Sequence, residues 1–390
     1  MKKITLLASF ILALLTTSYA ADIVVDPSIT TLSAAYTAAQ GGDVLILMDG
    51  TYTFTSNFTM TKAITFKSQN VLGATIQGAT FAFTTNSTGN VTFKDLVIDG
   101  TRATNASYVV DFTASAYPLA VNKIVFENCT VKNYGNCFLR ANRGECTCEG
   151  FTINKCTIKD CGSAAAYPLF QVAKTKFGNS SLEFTNNTVV NFANEYIQTY
   201  SVTAGADNSA TYLFKNNTFY KTATNSARKP FQFSSGIVKI QNNIFALSAT
   251  DNVRTSDVMI NAAIASAEFT NNNVYSYGAG DLFTFTWSPT AGTTTVSGNI
   301  DSNPNFSDPD NGNFTLPVGS AAALANMGDP RWNPNAPSSV NQVIIDSNTL
   351  VSIYTVEGKI LRKNVLFKDV VNQLKNGIYI VNNKKLVISR

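Results

Sequence analysis

The feature that most constrains this chain is a short pattern that recurs about every 29 residues. It reads FKDLVI from Phe93, FENCTV from Phe126, INKCTI from Ile153, FTNNTV from Phe184, FKNNTF from Phe214, IQNNIF from Ile240 and FTNNNV from Phe269. ITFKSQ, through Phe66, supplies a first copy and VSGNI from Val296 a last one, with steps of 27, 33, 27, 31, 30, 26, 29 and 27 residues between successive starts. Each copy alternates apolar and polar residues, the period-two signature of a strand with one buried face. Short strands, Asn/Gly/Ser/Thr turns and this period predict an all-β fold, a right-handed parallel β-helix of about nine coils with three strands per coil. A propeller blade would need a period of about 40 or more. Equivalent residues of successive coils then stack about 4.8 Å apart, giving a rod of roughly 40 Å.

Three residues into each copy stand Leu96, Cys129, Cys156, Asn187, Asn217, Asn243, Asn272 and Asn299. Asn tolerates the left-handed backbone of a tight corner, and stacked amides hydrogen-bond along a ladder, so this file is structural. All six cysteines, Cys129, Cys137, Cys146, Cys148, Cys156 and Cys161, fall within 33 residues. An exported chain admits a local disulfide staple there, with connectivity left open; Cys129 and Cys156 share one file in adjacent coils, a separation compatible with a bridge. A zinc site is disfavoured, because the chain has no histidine and no paired Cys-x-x-Cys. The missing histidine also removes the usual general base and the serine-triad base.

The ends of the chain address its location. Residues 1–20, MKKITLLASFILALLTTSYA, read as a secretory signal peptide cleaved after Ala20. The apolar run is too short to span a bilayer, and no other stretch could, so the mature chain is expected without a transmembrane segment and secreted or held at the outer cell surface. The expected organisation is the signal peptide, a β-helix domain over 21–332 opened by a capping helix in 29–40, a linker at 333–342, and a small β-sandwich over 343–390. Residues 301–340 carry six of the eleven prolines and read as an irregular closing segment. A formal net charge of +4 carries no nucleic-acid signature.

The tail resembles the C-terminal sorting domain of bacterial type IX secretion cargo, through Val351-Ser352-Ile353-Tyr354, Gly358-Lys359, the run Leu374 to Ile380 and a basic last strand ending at Arg390. That resemblance implies the export machinery as a partner. The opening AAYTAAQGGDVLILMDGTYTF is similar to the start of chondroitinase B and alginate lyases. The ending Asn303-Pro304, Asp308-Pro309, Gly328-Asp329-Pro330-Arg331-Trp332 resembles that of uncharacterised secreted bacterial β-helix proteins of the pectate-lyase-like superfamily. The resemblance implies the β-helix fold and a role on glycans. It also implies a calcium and lysine site followed by an arginine, but this chain has Gln198 and Tyr200, then Gln232 or Phe233, where those charges would fall.

If Val110, Leu139, Phe170, Ile197, Phe231, Ile260 and Phe283 point inward, then Asp111, Arg140, Gln171, Gln198, Gln232, Asn261 and Thr284 form one outward stripe. Phe138, Leu169, Tyr196 and Tyr200 are expected beside it. Sugars present hydroxyl edges and apolar ring faces, so Phe138, Arg140, Gln171, Tyr196, Gln198, Tyr200, Gln232 and Asn261 are the expected polysaccharide-binding residues. A solvated face of amide ladders is the alternative. For lyase chemistry, Arg140 or Arg143 would neutralise a uronate while Lys174, Tyr196 or Tyr200 abstracts the adjacent proton. No metal or cofactor is assigned; were calcium to take part in a lyase site, Glu145, Glu149 and Glu195 would be its candidate carboxylates. The readings in contention are a polysaccharide-binding protein, a polysaccharide lyase acting by β-elimination on uronic-acid glycans, and a structural or adhesive rod.

Overall fold

The computed structural model describes residues 20–335 and 350–388, apart from 88, 114–116, 164–166, 174, 178–180, 200–209, 224–229, 235, 248–257, 261–263, 277–284, 288–291, 356–357, 375–376 and 382–383. The expected signal peptide, up to residue 19, and most of the expected linker lie outside the described residues. The chain divides into two compact units, Met1–Pro334 and Asn335–Arg390.

The first unit is a parallel β-helix. Its three sheets contain twelve, nine and nine strands among the described residues, and consecutive members of each sheet come from consecutive coils. One coil is Val91–Lys94 in the first sheet, Val97–Asp99 in the second and Tyr108–Phe112 in the third. The repeat keeps the coils in register: Phe93 pairs with Phe126, Phe126 with Ile153, Ile153 with Phe184 and Phe184 with Phe214. Inside the coil those rings stack, Phe66 on Phe93 at 5.2 Å and Phe93 on Phe126 at 4.6 Å between centroids. A run of aromatics along one axis thus supplies dispersion contact and apolar burial together.

The corner between the first and second sheets divides a task that the sequence assigned to one residue. The left-handed backbone falls on Asp95, Asn128, Lys155, Asn186, Asn216, Asn242, Asn271 and Gly298. The next residue, Leu96 through Asn299, turns inward instead. Asn217 shows the pattern: its Oδ1 accepts from the Asn187 backbone at 2.9 Å, while its Nδ2 donates to the Phe184 carbonyl at 2.8 Å and to Asn243 Oδ1 at 2.9 Å. Asn243 and Asn272 repeat it. Cys156 joins the file by donating its backbone N–H to Asn187 Oδ1, and its sulfur accepts from the Cys129 backbone at 3.3 Å. All six cysteines are free and buried, so the expected disulfide staple is not present. Burial pushes the Cys146 thiol up to about 11 and those of Cys148 and Cys161 to about 12.

The N-terminal helix spans Leu32–Ala38, shorter than the stretch expected, and Thr31 caps it by accepting from the Ala34 N–H. Leu32, Tyr36 and Ala39 pack into the core. Lys62 closes the other end, donating to the carbonyls of Tyr36, Thr37 and Ala39.

The second unit is one four-stranded antiparallel sheet among the described residues, not a sandwich. Leu350–Thr355 pairs with Ile360–Leu366 on one side and Gly377–Val381 on the other, and Lys384–Ile388 completes it. Phe367–Val370 forms a short helix, and Val370 and Leu374 pack with Val351, Ile353 and Val381. The single sheet buries one face with that helical turn. No helix among the described residues of the chain is long and apolar enough to cross a membrane.

Candidate functional site

The outward stripe on the third sheet exists as a backbone register. Asp111 pairs with Arg140, Arg140 with Gln171, Gln171 with Gln198 and Gln198 with Gln232. Beyond that the register departs from expectation. Gln232 pairs with Met259 and Phe231 with Val258, so Val258 rather than Ile260 follows Phe231 in its file, while Ile260 pairs with Phe233; Phe283 lies outside the described residues. Asn261 and Thr284 lie outside the described residues, as do Lys174 and Tyr200.

The stripe is also closed rather than open. Asp111, Gln171 and Gln198 are buried, and only Arg140 and Gln232 are partly exposed. Arg140 grips both carboxylate oxygens of Asp111 through Nε and Nη2, and its guanidinium sits 4.0 Å above the Tyr108 ring. Glu195, fully buried, accepts from Gln232 Nε2 at 3.5 Å. Gln171 Oε1 has no hydrogen-bond partner among the described residues.

Phe138 and Tyr196, expected as exposed aromatics, lie in the core, as does Leu169. The cause is a bend entering each strand. The Phe138 and Leu139 N–H groups both donate to the Leu169 carbonyl, and those of Tyr196 and Ile197 both reach the Pro230 carbonyl. Two consecutive residues then point inward, which a strict alternation does not allow. Tyr196 donates or accepts at Thr222 Oγ1 and packs on Phe219 and Phe231. Among the described candidates for lyase chemistry, Arg140 is engaged with Asp111, Tyr196 is enclosed, and Arg143 is exposed in the loop after Arg140. Glu145 and Glu149 are exposed while Glu195 is buried. Among the described residues no three acidic or thiol side chains come together to hold a metal ion, so these three do not form the candidate calcium set.

The open site lies on the second sheet. The seventh residue of each repeat copy faces outward there, and its chemistry changes along the axis: Asp99, Lys132 and Lys159, then Val190, Tyr220 and Ala246. Over the apolar half folds the closing segment, with Phe314, Leu316, Ala322, Ala323 and Met327 packing on Tyr220, Ile244 and Ala246. Gly328 allows the close approach. Its φ is +82°, and a Cβ there would meet Ile244 Cδ1 at 2.7 Å and Thr218 Oγ1 at 2.9 Å.

Where the segment ends, its edge and the polar half of the sheet bound a groove of about 450 Å³. Thr130, Thr157, Lys159 and Val190 line the sheet side, with Asp160 and Asn191 at the corner; Pro309 to Gly312, Phe314, Arg331 and Trp332 line the other. Arg331 is braced by Asp329, whose carboxylate accepts from Nε at 2.9 Å and Nη2 at 2.6 Å, and by the Cys156 carbonyl at 2.9 Å. Trp332 donates Nε1–H to Thr188 Oγ1 at 2.7 Å, which fixes the ring at the rim while leaving it partly exposed. Asp310 accepts from Lys221 Nζ at 2.6 Å and from the Tyr220 hydroxyl at 3.0 Å. Those two bonds, Lys221 first, hold its carboxyl below the usual range; burial, with help from Asp310, pushes the Tyr220 phenol to about 12. Fixed aromatic and planar polar groups around a concave surface can meet both the ring faces and the hydroxyl edges of a sugar.

Residues 50–192 match a family model described as a domain of unknown function, DUF4957, and residues 212–332 match a second, DUF5123. A search of curated proteins finds no match. Among solved structures the chain is similar to the PL6 family alginate lyase AlyGC, at 16% identity and a TM-score of 0.39, over 72% of this chain and 40% of that one. It thus spans well under half the length of that lyase. It is also similar to the pectate lyase Pel9A, at 14% identity and a TM-score of 0.36, over 78% of this chain and 91% of that one. A third likeness is to the catalytic unit of a GH87 alpha-1,3-glucanase from Streptomyces thermodiastaticus, at 15% identity and a TM-score of 0.25, covering 70% and 66% of the two chains.

Proposed function

We propose that this protein is exported and binds polysaccharide in the groove between the second sheet and the closing segment, without cleaving it. The observation that carries the reading is the rim pair Arg331 and Trp332, held in place from behind by Asp329 and Thr188 while both side chains line an open groove of about 450 Å³. A pre-fixed aromatic and a pre-fixed guanidinium lose little conformational freedom on meeting a sugar chain, which favours binding. Export would follow from the leader at residues 1–20, and the C-terminal sheet would serve as the sorting module handed to the secretion machinery, leaving the protein secreted or on the outer surface.

The test is affinity electrophoresis of the intact chain through gels containing soluble polysaccharides, with Trp332→Ala beside it. Retardation of the parent and at least a tenfold loss of affinity in the variant are expected. Retardation that survives Trp332→Ala would remove the groove from the account. Release of an unsaturated, ultraviolet-absorbing product from a uronic-acid polymer would favour the lyase reading instead.

A further inference from the structure

Building on that groove reading, we propose that the polysaccharide it takes is uncharged. Four ionisable side chains line the groove, Lys159, Asp160, Asp310 and Arg331, two of each sign. Arg331 is compensated by Asp329, whose side chain is 0% exposed and bonded to the guanidinium through both oxygens. Asp310 is matched by Lys221. Asp160 accepts from Asn191 Nδ2 at 2.8 Å and adjoins Lys159 in the chain.

A polymer of uronic acids brings repeated carboxylates, and its recognition needs a surplus of cations or bidentate arginines free to turn toward them. This groove offers neither. The Arg331 fork faces Asp329, and an incoming carboxylate would also meet the negative charges of Asp310 and Asp160, a like-charge contact that selects against it. A neutral glycan encounters no such opposition. It needs donors and acceptors for its hydroxyls, which Thr130, Thr157 and Asn191 supply, and an apolar plane for its ring, which Trp332 supplies.

Isothermal titration of the intact chain against soluble neutral polymers (a β-glucan, a mannan, a xylan) and against polygalacturonate and alginate decides the matter. At least one neutral polymer should bind ten times or more tighter than either polyuronate, and its Kd should change less than about twofold when salt is raised about tenfold, since little charge pairing is involved. Asp310→Asn and Asp160→Asn should each raise the affinity for polyuronate relative to that for the neutral polymer. Polyuronate bound more tightly than every neutral polymer, with the binding abolished by Trp332→Ala, would overturn the neutral assignment and leave the groove reading standing. Binding of any polymer that is indifferent to Trp332→Ala, or no binding at all, would overturn both.

Discussion

Trp332 and Thr188 are joined by a hydrogen bond of 2.7 Å although 144 residues separate them in the chain. The same hydroxyl donates onward to Asp329 Oδ2 at 2.8 Å, so one buried threonine ties the end of the closing segment to the second sheet. Thr188→Val keeps the shape and removes both bonds, leaving an indole N–H without its acceptor. A loss of roughly 2 kcal/mol in unfolding free energy is expected, with faster amide exchange confined to residues near 329–333. Denaturant titration and hydrogen exchange measure the two effects.

Asn217 tests the amide ladder. Asn217→Ala removes the acceptor for the Asn187 N–H and the donor to Phe184, both buried. The expected cost is on the order of 3 kcal/mol, larger than that of an exposed corner residue such as Asn191→Ala.

The thiols give a chemical readout. With all six cysteines buried and the pKa values of Cys146, Cys148 and Cys161 raised by burial, the folded protein at pH 8 should react with almost no alkylating reagent. Unfolding without reductant should then expose six reactive thiols. A count of four or fewer would reveal a bridge.

Asp310 sets a pH window. Its carboxyl is held low by Lys221 and Tyr220, so the contact it makes is complete above the ordinary carboxylate pKa of about 3.9 and is lost as pH falls through the lower folded value. Chain binding and the fluorescence of Trp332, isolated in a Trp287→Phe variant, should be flat from about pH 8 to pH 5 and change only below about pH 4. A midpoint near neutrality would mean that another group controls the groove.

The coils were legible because the repeat positions a Phe or Ile, a polar corner and an inward Asn at fixed offsets, and parallel stacking turns those offsets directly into files. The groove was equally written in the seventh residue of each copy, where Lys159 gives way to Val190 and Tyr220, but it acquires meaning only once residues 309–332 fold back over that face. Proline-rich sequence gives no periodicity from which such a return path can be read. Phe138 and Tyr196 were misplaced for a different reason. Alternation assumes an unbroken strand, and the doubled hydrogen bonds at Leu169 and Pro230 break it. The alternating strands expected in the C-terminal tail form one sheet among the described residues, and the Phe367–Val370 turn, through Val370, packs on the face that a second sheet would have covered.

The corner file changes its chemistry midway, from Leu96, Cys129 and Cys156 to the asparagines from Asn187 onward, with Cys156 handing its N–H to the first amide. Within the amide half Asn217, Asn243 and Asn272 give and receive the same bonds, so a whole coil duplicated or deleted among them would find an identical neighbour waiting on each side. At the sulfur-to-amide junction the same event would strand one half-bonded rung. Natural lengthening or shortening of such a rod should therefore accumulate on one side of Asn187, beneath the closing segment, where an added coil would also widen or narrow the space open to a sugar chain.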